Sequence, residues 1–312
     1  MGLDILFNAK SFAVVGASSD ESKVGHQILK NLTVNKNLTL YPINLKGGTI
    51  LSLPTYPHLE NTPTTPEVAI ICVPLTVVEG VIDQCIKVGV GAVVLITSGF
   101  AEVGEVGKTL QTTIIKKLSE AGIALLGPNS MGYLVPSQGI YASFGPSDVS
   151  PGKVAVISQS GAMLSALFQE YASSSTGVSF ALSLGNMTGY DENDALEYAM
   201  HDEQTKVIAI YLESLASPQT FLTLAAEISR SKPIFLLKGG TTKEGSQAAL
   251  SHTAALATSQ VLLDSLCLQS GIVQVANFEQ LVRASVGASK SHYLPDNLLI
   301  VTNAGGPGVV LT

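Results

Sequence analysis

His252 stands in the segment KGGTTKEGSQAALSHTAALA, flanked by Ser251 and Thr253 and by a run of small residues that lets the chain pack closely. An imidazole with a reference pKa of about 6.5 is largely neutral at pH 7, so it offers a nitrogen nucleophile, and a phosphoramidate formed on it is labile enough to pass the phosphoryl group onward. Such a ring needs a carboxylate to hold its other nitrogen in one tautomer, and Glu213, at the end of KVIAIYLES, is the candidate. A phosphate beside it needs positive electrostatics. The run Ser158-Gln159-Ser160-Gly161-Ala162, at a strand-to-helix junction, offers amides and hydroxyls, and Lys238-Gly239-Gly240-Thr241-Thr242 offers a second such junction. Two helix N-termini can then face one anion. His26, His58, His201 and His292 read as surface or capping residues.

A second Gly-rich turn, VVGASSDESKVG, follows the first strand candidate directly and leads into a helix. Small residues and free backbone amides at a helix N-terminus favour a phosphate guest. The run Gly16-Ala17-Ser18-Ser19-Asp20 does not give GxGxxG, and the second strand ends in Asn44 where a ribose-binding acid is expected, so the turn does not read as a nicotinamide-dinucleotide site.

The elements that must position these residues alternate between short β-branched runs and helical stretches, the pattern of parallel strands joined by right-handed crossovers. Strands are expected over 12–18, 38–44, 68–74, 92–99 and 123–129, with amphipathic helices such as VVEGVIDQCIKVG between them; they make a Rossmann-like α/β domain over residues 1–135. Residues 136–153, PSQGIYASFGPSDVSPGK, are rich in Pro, Ser and Gly and read as a linker. A second series, 153–161, 178–185, 206–214, 233–240 and 271–277, predicts a flavodoxin-like domain over 150–290. NLLIVTNAGGPGVVLT reads as strand, Gly-rich turn and helix start, so residues 295–312 are expected to begin a third α/β domain.

Of the 312 residues 46% are hydrophobic and only 13% charged, with 29 Gly and no Trp, the profile of a folded enzyme with buried strands and tight turns. A net charge of −7 and no cluster of Lys and Arg argue against a nucleic-acid-binding face. Cys72, Cys85 and Cys267 have no metal-ligand spacing; they suggest a reducing compartment and no metal site. The start MGLDILFNAK has no basic region ahead of a long apolar stretch, and no apolar run approaches about 18 residues, so a cytoplasmic protein off the membrane is expected.

Taken in order, GASSDESKVG, YPIN, CVP, ITSGFAEVGEVG and GPNSMG resemble the CoA-binding domain of the succinyl-CoA synthetase superfamily, in its ADP-forming acetyl-CoA synthetase branch; ISQSGA and SHTAALA carry the resemblance through the second domain. It implies that Gly16, Ala17, Ser18, Lys23, Val24 and Gly25 meet the phosphates of coenzyme A, and that Asn44, Val73, Pro74, Ser98, Gly99 and Asn129 hold the rest of it. It implies further that His252 is phosphorylated, that Glu213 orients it, and that Ser158, Gln159, Ser160, Gly161, Gly239 and Gly240 hold phosphate. The implied reaction is acyl-CoA + ADP + phosphate = acid + ATP + CoA, by a chain that works as an oligomer and with an ATP-grasp subunit or domain carrying nucleotide and Mg²⁺. Another reading of the same resemblance is a non-catalytic, CoA-responsive region of a protein lysine acetyltransferase-like protein; the retained histidine favours the synthetase. Two positions depart from the family's pattern: Leu45 follows Asn44 where Pro is common, and Gly189 stands where an acid is usual, with Asp191 and Asp194 close by.

Overall fold

The computed structural model of the chain describes residues 2–240, 260–290, 301–306 and 309. Its first half runs α1 (Asp4–Phe7), β1 (Ser11–Val15), α2 (Val24–Leu32), β2 (Thr39–Ile43), a small hairpin of β3 (Thr49–Ile50) and β4 (Leu53–Pro54), β5 (Val68–Ile71), α3 (Leu75–Val88), β6 (Ala92–Leu95), α4 (Glu105–Glu120) and β7 (Ala124–Leu126). The second half runs β8 (Gly132–Val135), β9 (Ile140–Ser143), β10 (Pro151–Ser158), α5 (Gly161–Ser173), β11 (Val178–Ser183), α6 (Glu192–His201), β12 (Val207–Leu212), α7 (Pro218–Ile228), β13 (Ile234–Lys238), α8 (Gln260–Ser270), β14 (Val273–Val275) and α9 (Phe278–Lys290).

Five strands form a parallel sheet in the order β2-β1-β5-β6-β7. VAII and AVVL are buried at every residue, as strands covered by helices on both faces must be. Seven strands form the second sheet, in the order β14-β13-β12-β10-β11-β8-β9; its parallel part repeats the doubly wound arrangement and β8 and β9 add an antiparallel edge. The α/β class and the flavodoxin-like second sheet expected from the sequence are therefore present. The expected strands run several residues past the observed C-terminal ends, because the small and apolar residues that follow each strand are loop residues of the sites described below.

The segment expected to be a linker is not one. Ile140–Ser143 is a fully buried strand of the second sheet, and β8 pairs with β11 through Leu134 and Tyr133, so the chain leaves the first sheet after Leu126. The Pro and Gly that suggested a linker turn a hairpin instead: Pro136 opens a 3-10 turn and Gly139 closes it at φ 64°. Of the third domain expected over 295–312, residues 295–300, 307, 308 and 310–312 lie outside the described residues; Val301 and Thr302 are not in a strand, and helical backbone appears at 305, 306 and 309.

One apolar core joins the two sheets. Phe7 of α1 is wedged between them, with ring centroids 5.5 Å from Tyr133, 5.2 Å from Phe180 and 4.7 Å from Tyr198. Tyr133 donates from its hydroxyl to Leu6 O at 2.7 Å, and Asn31 Nδ2 of α2 donates to Ser143 O and Gly145 O, each at 2.7 Å. The halves are thus held in register by burial and by satisfied polar groups. No helix of the described residues is long and apolar enough to cross a membrane.

Candidate active site

In the first sheet the crossovers diverge on either side of β1, toward β2 one way and β5 the other, and the loops after β1 and β5 part to leave a crevice. Two glycines let the backbone close up there. Gly16 has φ +98°, and a Cβ on it would lie 2.6 Å from Cys72 O; a Cβ on Gly25, in the first turn of α2, would run into Gly16 O. The α2 N-terminus is thereby brought against the ends of β1 and β5. Asn44 Nδ2 donates to Ala17 O at 2.6 Å, and Asn44 Oδ1 accepts from Lys46 N at 2.7 Å, so Leu45 occupies a turn that Asn44 still closes. Ser18 O lies 2.8 Å from His26 Nδ1, and Lys23 is exposed at the N-cap of α2.

The second sheet diverges in the same way between β10 and β12. Ser158 is fully buried, and its hydroxyl donates to Ser160 O at 2.7 Å. Ser160 caps α5 by accepting from Met163 N, which leaves the amides of Gly161 and Ala162 at the positive end of the helix. Gln159 Oε1 accepts from Glu213 N at 2.7 Å and Ser214 N at 3.0 Å, and its Nε2 donates to Ser214 Oγ at 3.1 Å. On the far side Tyr211 donates from its hydroxyl to Glu213 Oε1 at 3.3 Å. Gly239 has no room for a side chain, since a Cβ would lie 2.7 Å from that hydroxyl and 3.2 Å from Glu213 Cγ. Lys238, 6% exposed, donates from Nζ to Glu213 O and Gly239 O, each at 2.6 Å, tying the ends of β12 and β13 together; burial pushes its pKa down, against the pull of Glu213.

A cavity of about 770 Å³ lies where the two sheets' loops meet. Val24, Val73, Pro74, Ser98 and Asn129 line it from the first half, and Gln159, Ser160 and Gly161 from the second, so eight of the residues singled out from the sequence meet in one space. Gly16, Ala17, Ser18, Lys23, Gly25, Asn44 and Gly99 are not among the residues lining it; Ser158, Glu213 and Gly239 form the layer that Gln159 connects to it, and Gly240 follows Gly239 at φ 70°. His252, Thr241 and Thr242 lie outside the described residues. None of the described residues lining the cavity is charged. The N-termini of α2, α3 and α5, whose first residues Val24, Leu75 and Gly161 line it, give the cavity positive potential.

Three residues that latch the halves together were not singled out from the sequence. Asn186 Nδ2, in the loop after β11, donates to Glu102 Oε2 at 2.7 Å and Gln111 Oε1 at 2.9 Å, and its Oδ1 accepts from Asn129 Nδ2 at 3.4 Å. Glu102 Oε1 accepts from Gly99 N at 2.6 Å. Burial alone would raise the Glu102 pKa, but the hydrogen bonds from Asn186 and Gly99 outweigh it and hold the carboxyl below its ordinary value. Their partners are far apart in the chain, which no local spacing signals. Nearby, Asp191 caps α6 by accepting from Asn193 N and Asp194 N, while Asp194 Oδ2 accepts from Asp191 N at 2.9 Å. Both carboxylates are engaged in that capping box, and a Cβ on Gly189 would run into Leu125 O, so this loop has neither an acid at 189 nor room for one.

Residues 10–136 match the family described as CoA binding domain, and residues 151–286 the one described as succinyl-CoA ligase like flavodoxin domain. The alpha subunit of acetate–CoA ligase [ADP-forming] I from Pyrococcus furiosus is 37% identical over 321 residues, covering 100% of this chain and 69% of that subunit. The 4-hydroxybutyrate–CoA ligase [ADP-forming] of Nitrosopumilus maritimus is 34% identical, covering 98% of this chain and 45% of that protein. Among solved structures, the dinucleotide-forming acetyl-coenzyme A synthetase 1 of Ca. Korarchaeum cryptofilum, in complex with phosphate and ADP, superposes with a TM-score of 0.93 at 40% identity, covering 98% of this chain and 67% of that one.

Proposed function

We propose that this chain, which belongs to the family of the ADP-forming acetate–CoA ligase alpha subunits, binds an acyl-CoA in the cavity between its sheets and carries the phosphoryl group on His252. The observation that supports this most directly is the position of Gln159: it lines the cavity and at the same time holds the backbone of Glu213 and Ser214. Two switch-point crevices, each a natural ligand site by itself, thus open into one space.

The turn of Gly16, Ala17, Ser18, Lys23, Val24 and Gly25 takes the phosphates of coenzyme A, and Asn44, Val73, Pro74, Ser98, Gly99 and Asn129 take the remainder, with the thioester toward α5. Inorganic phosphate is held by Ser158, Gln159, Ser160 and Gly161, with Gly239 and Gly240 across from them. Its oxygen attacks the thioester carbon and expels the CoA thiolate, leaving an acyl phosphate. A ring nitrogen of His252 then attacks phosphorus, the carboxylate leaves, and Glu213 holds the other ring nitrogen. The phosphoryl group passes to ADP on an ATP-grasp part in another subunit or domain, which supplies nucleotide and Mg²⁺, and the pair works as a cytoplasmic oligomer.

The test uses the chain together with its ATP-grasp partner, labelled ATP and Mg²⁺. An acid-labile, base-stable label is expected on the wild type and none on His252→Asn. Label that survives the substitution removes His252 from this role.

A further inference from the structure

The acyl group must lie between the loops that hold coenzyme A and the helix end that holds phosphate, because the phosphate oxygen has to reach the thioester carbon. Met131 lies in that interval. Met131 carries the chain from β7 into β8, so it belongs to neither set of parallel strands; it is 3% exposed and lines the cavity between Asn129 and the first turn of α5. Methionine is ordinarily an adaptable filler. Here it is held along its length. A Cβ on Gly161 would lie 3.0 Å from its Cβ, Ser165 Oγ donates to its Sδ at 3.3 Å, and a Cβ on Gly145 would overlap its Cε. Two glycines make room for the thioether and a hydroxyl pins the sulfur, so the wall it forms has a defined position.

We propose that Met131 is the specificity wall of the cavity, setting how long an acyl tail the chain accepts; this rests on the acyl-CoA reading above. The relatives are named for acids of different length, acetate and 4-hydroxybutyrate, so tail length is a property on which members of the family differ. An apolar wall distinguishes one methylene by about 10- to 200-fold.

Calorimetric titration of the full chain with CoA, acetyl-CoA, butyryl-CoA and hexanoyl-CoA tests this. The ratio of the hexanoyl-CoA to the acetyl-CoA dissociation constant is expected to fall about tenfold or more in Met131→Ala and to rise in Met131→Phe. Ser165→Ala, which frees the sulfur without emptying the site, shifts the ratio in the direction of Met131→Ala by less, and it carries the test should the larger changes fail to fold. CoA binding with a ratio that these substitutions leave in place overturns the role of Met131 and leaves the acyl-CoA reading standing. Wild-type chain that binds no CoA overturns the reading and the inference together.

Discussion

Glu192 sits in the first turn of α6 at 0% exposure, with Oε1 accepting from Ala216 N at 2.8 Å, two residues beyond the Glu213–Ser214 pair that Gln159 holds. Burial pushes its carboxyl from 4.5 up to about 7, Asp191 reinforces the rise, and nearby backbone amides oppose it. At about 1.4 kcal/mol per pKa unit the shift corresponds to roughly 3 kcal/mol. Between those two values the folded chain keeps a proton that the unfolded chain has released, so this group's share of stability is full below pH 4.5, falls as pH rises, and is gone above about 7. Glu192→Gln is neutral at every pH and keeps an oxygen for Ala216 N. The perturbation is therefore read as a difference: the stability of the variant relative to wild type should rise by about 2 to 3 kcal/mol between pH 5 and pH 8. Urea unfolding of both proteins at a series of pH values in that range measures it. Parallel stability curves for the two would refute the reasoning, since they would mean that Glu192 titrates alike in the folded and unfolded chains.

Asn186→Ala removes the hydrogen bonds that join Glu102, Gln111 and Asn129, and should destabilise the chain by about 2 kcal/mol. Because the folded pKa of Glu102 is lowered, its contribution is present above the ordinary 4.5 and lost as pH falls, so the stability gap between the variant and wild type should narrow on acidification below 4.5, followed by urea unfolding at a series of pH values. Gly25→Ala forces the start of α2 away from Gly16 O; a loss of about 1 to 3 kcal/mol in thermal unfolding and weaker CoA binding by calorimetry are expected, and unchanged CoA affinity would remove this turn from the ligand site.

The ten parallel strands were legible because each is a short β-branched or apolar run bounded by turn signals, most of them buried, although β14 begins at the exposed Val273. The same criterion failed at 136–153 for a physical reason: Pro136 and Gly139 shape a hairpin turn as readily as a linker, and Ile140–Ser143 is too short a run to outweigh them. At the site, Ser160, Gly161 and Glu213 were legible because a strand-to-helix junction and a strand-end carboxylate are local features. The latch was not. Asn186 meets Glu102 and Gln111 from 84 and 75 residues away, and its identity follows from a three-dimensional crossing that leaves no period in the chain. Met131 reads in sequence as one more apolar residue after Asn129, and only Gly145, 14 residues on, together with Gly161 and Ser165 from α5 gives it a fixed position.

A chain with 24 acidic and 17 basic side chains must still attract a phosphate and a CoA thioester if it acts as proposed, and the arrangement of charge shows how that can be done. The wall facing the ligand has the Gly161 and Ala162 amides of α5, worth about half a positive charge at a helix end, and no full cation among the described residues. Lys238, the one buried cation nearby among the described residues, spends its hydrogen bonds on Glu213 O and Gly239 O and so fixes the loops behind the site. A lysine in the wall itself would bind phosphate more tightly in the ground state without gaining as much on transfer, and uniform binding of that kind does not speed a step. Partial charges fixed by backbone geometry can hold an incoming phosphate and still let it leave for an imidazole, which suits a group that has to be handed on.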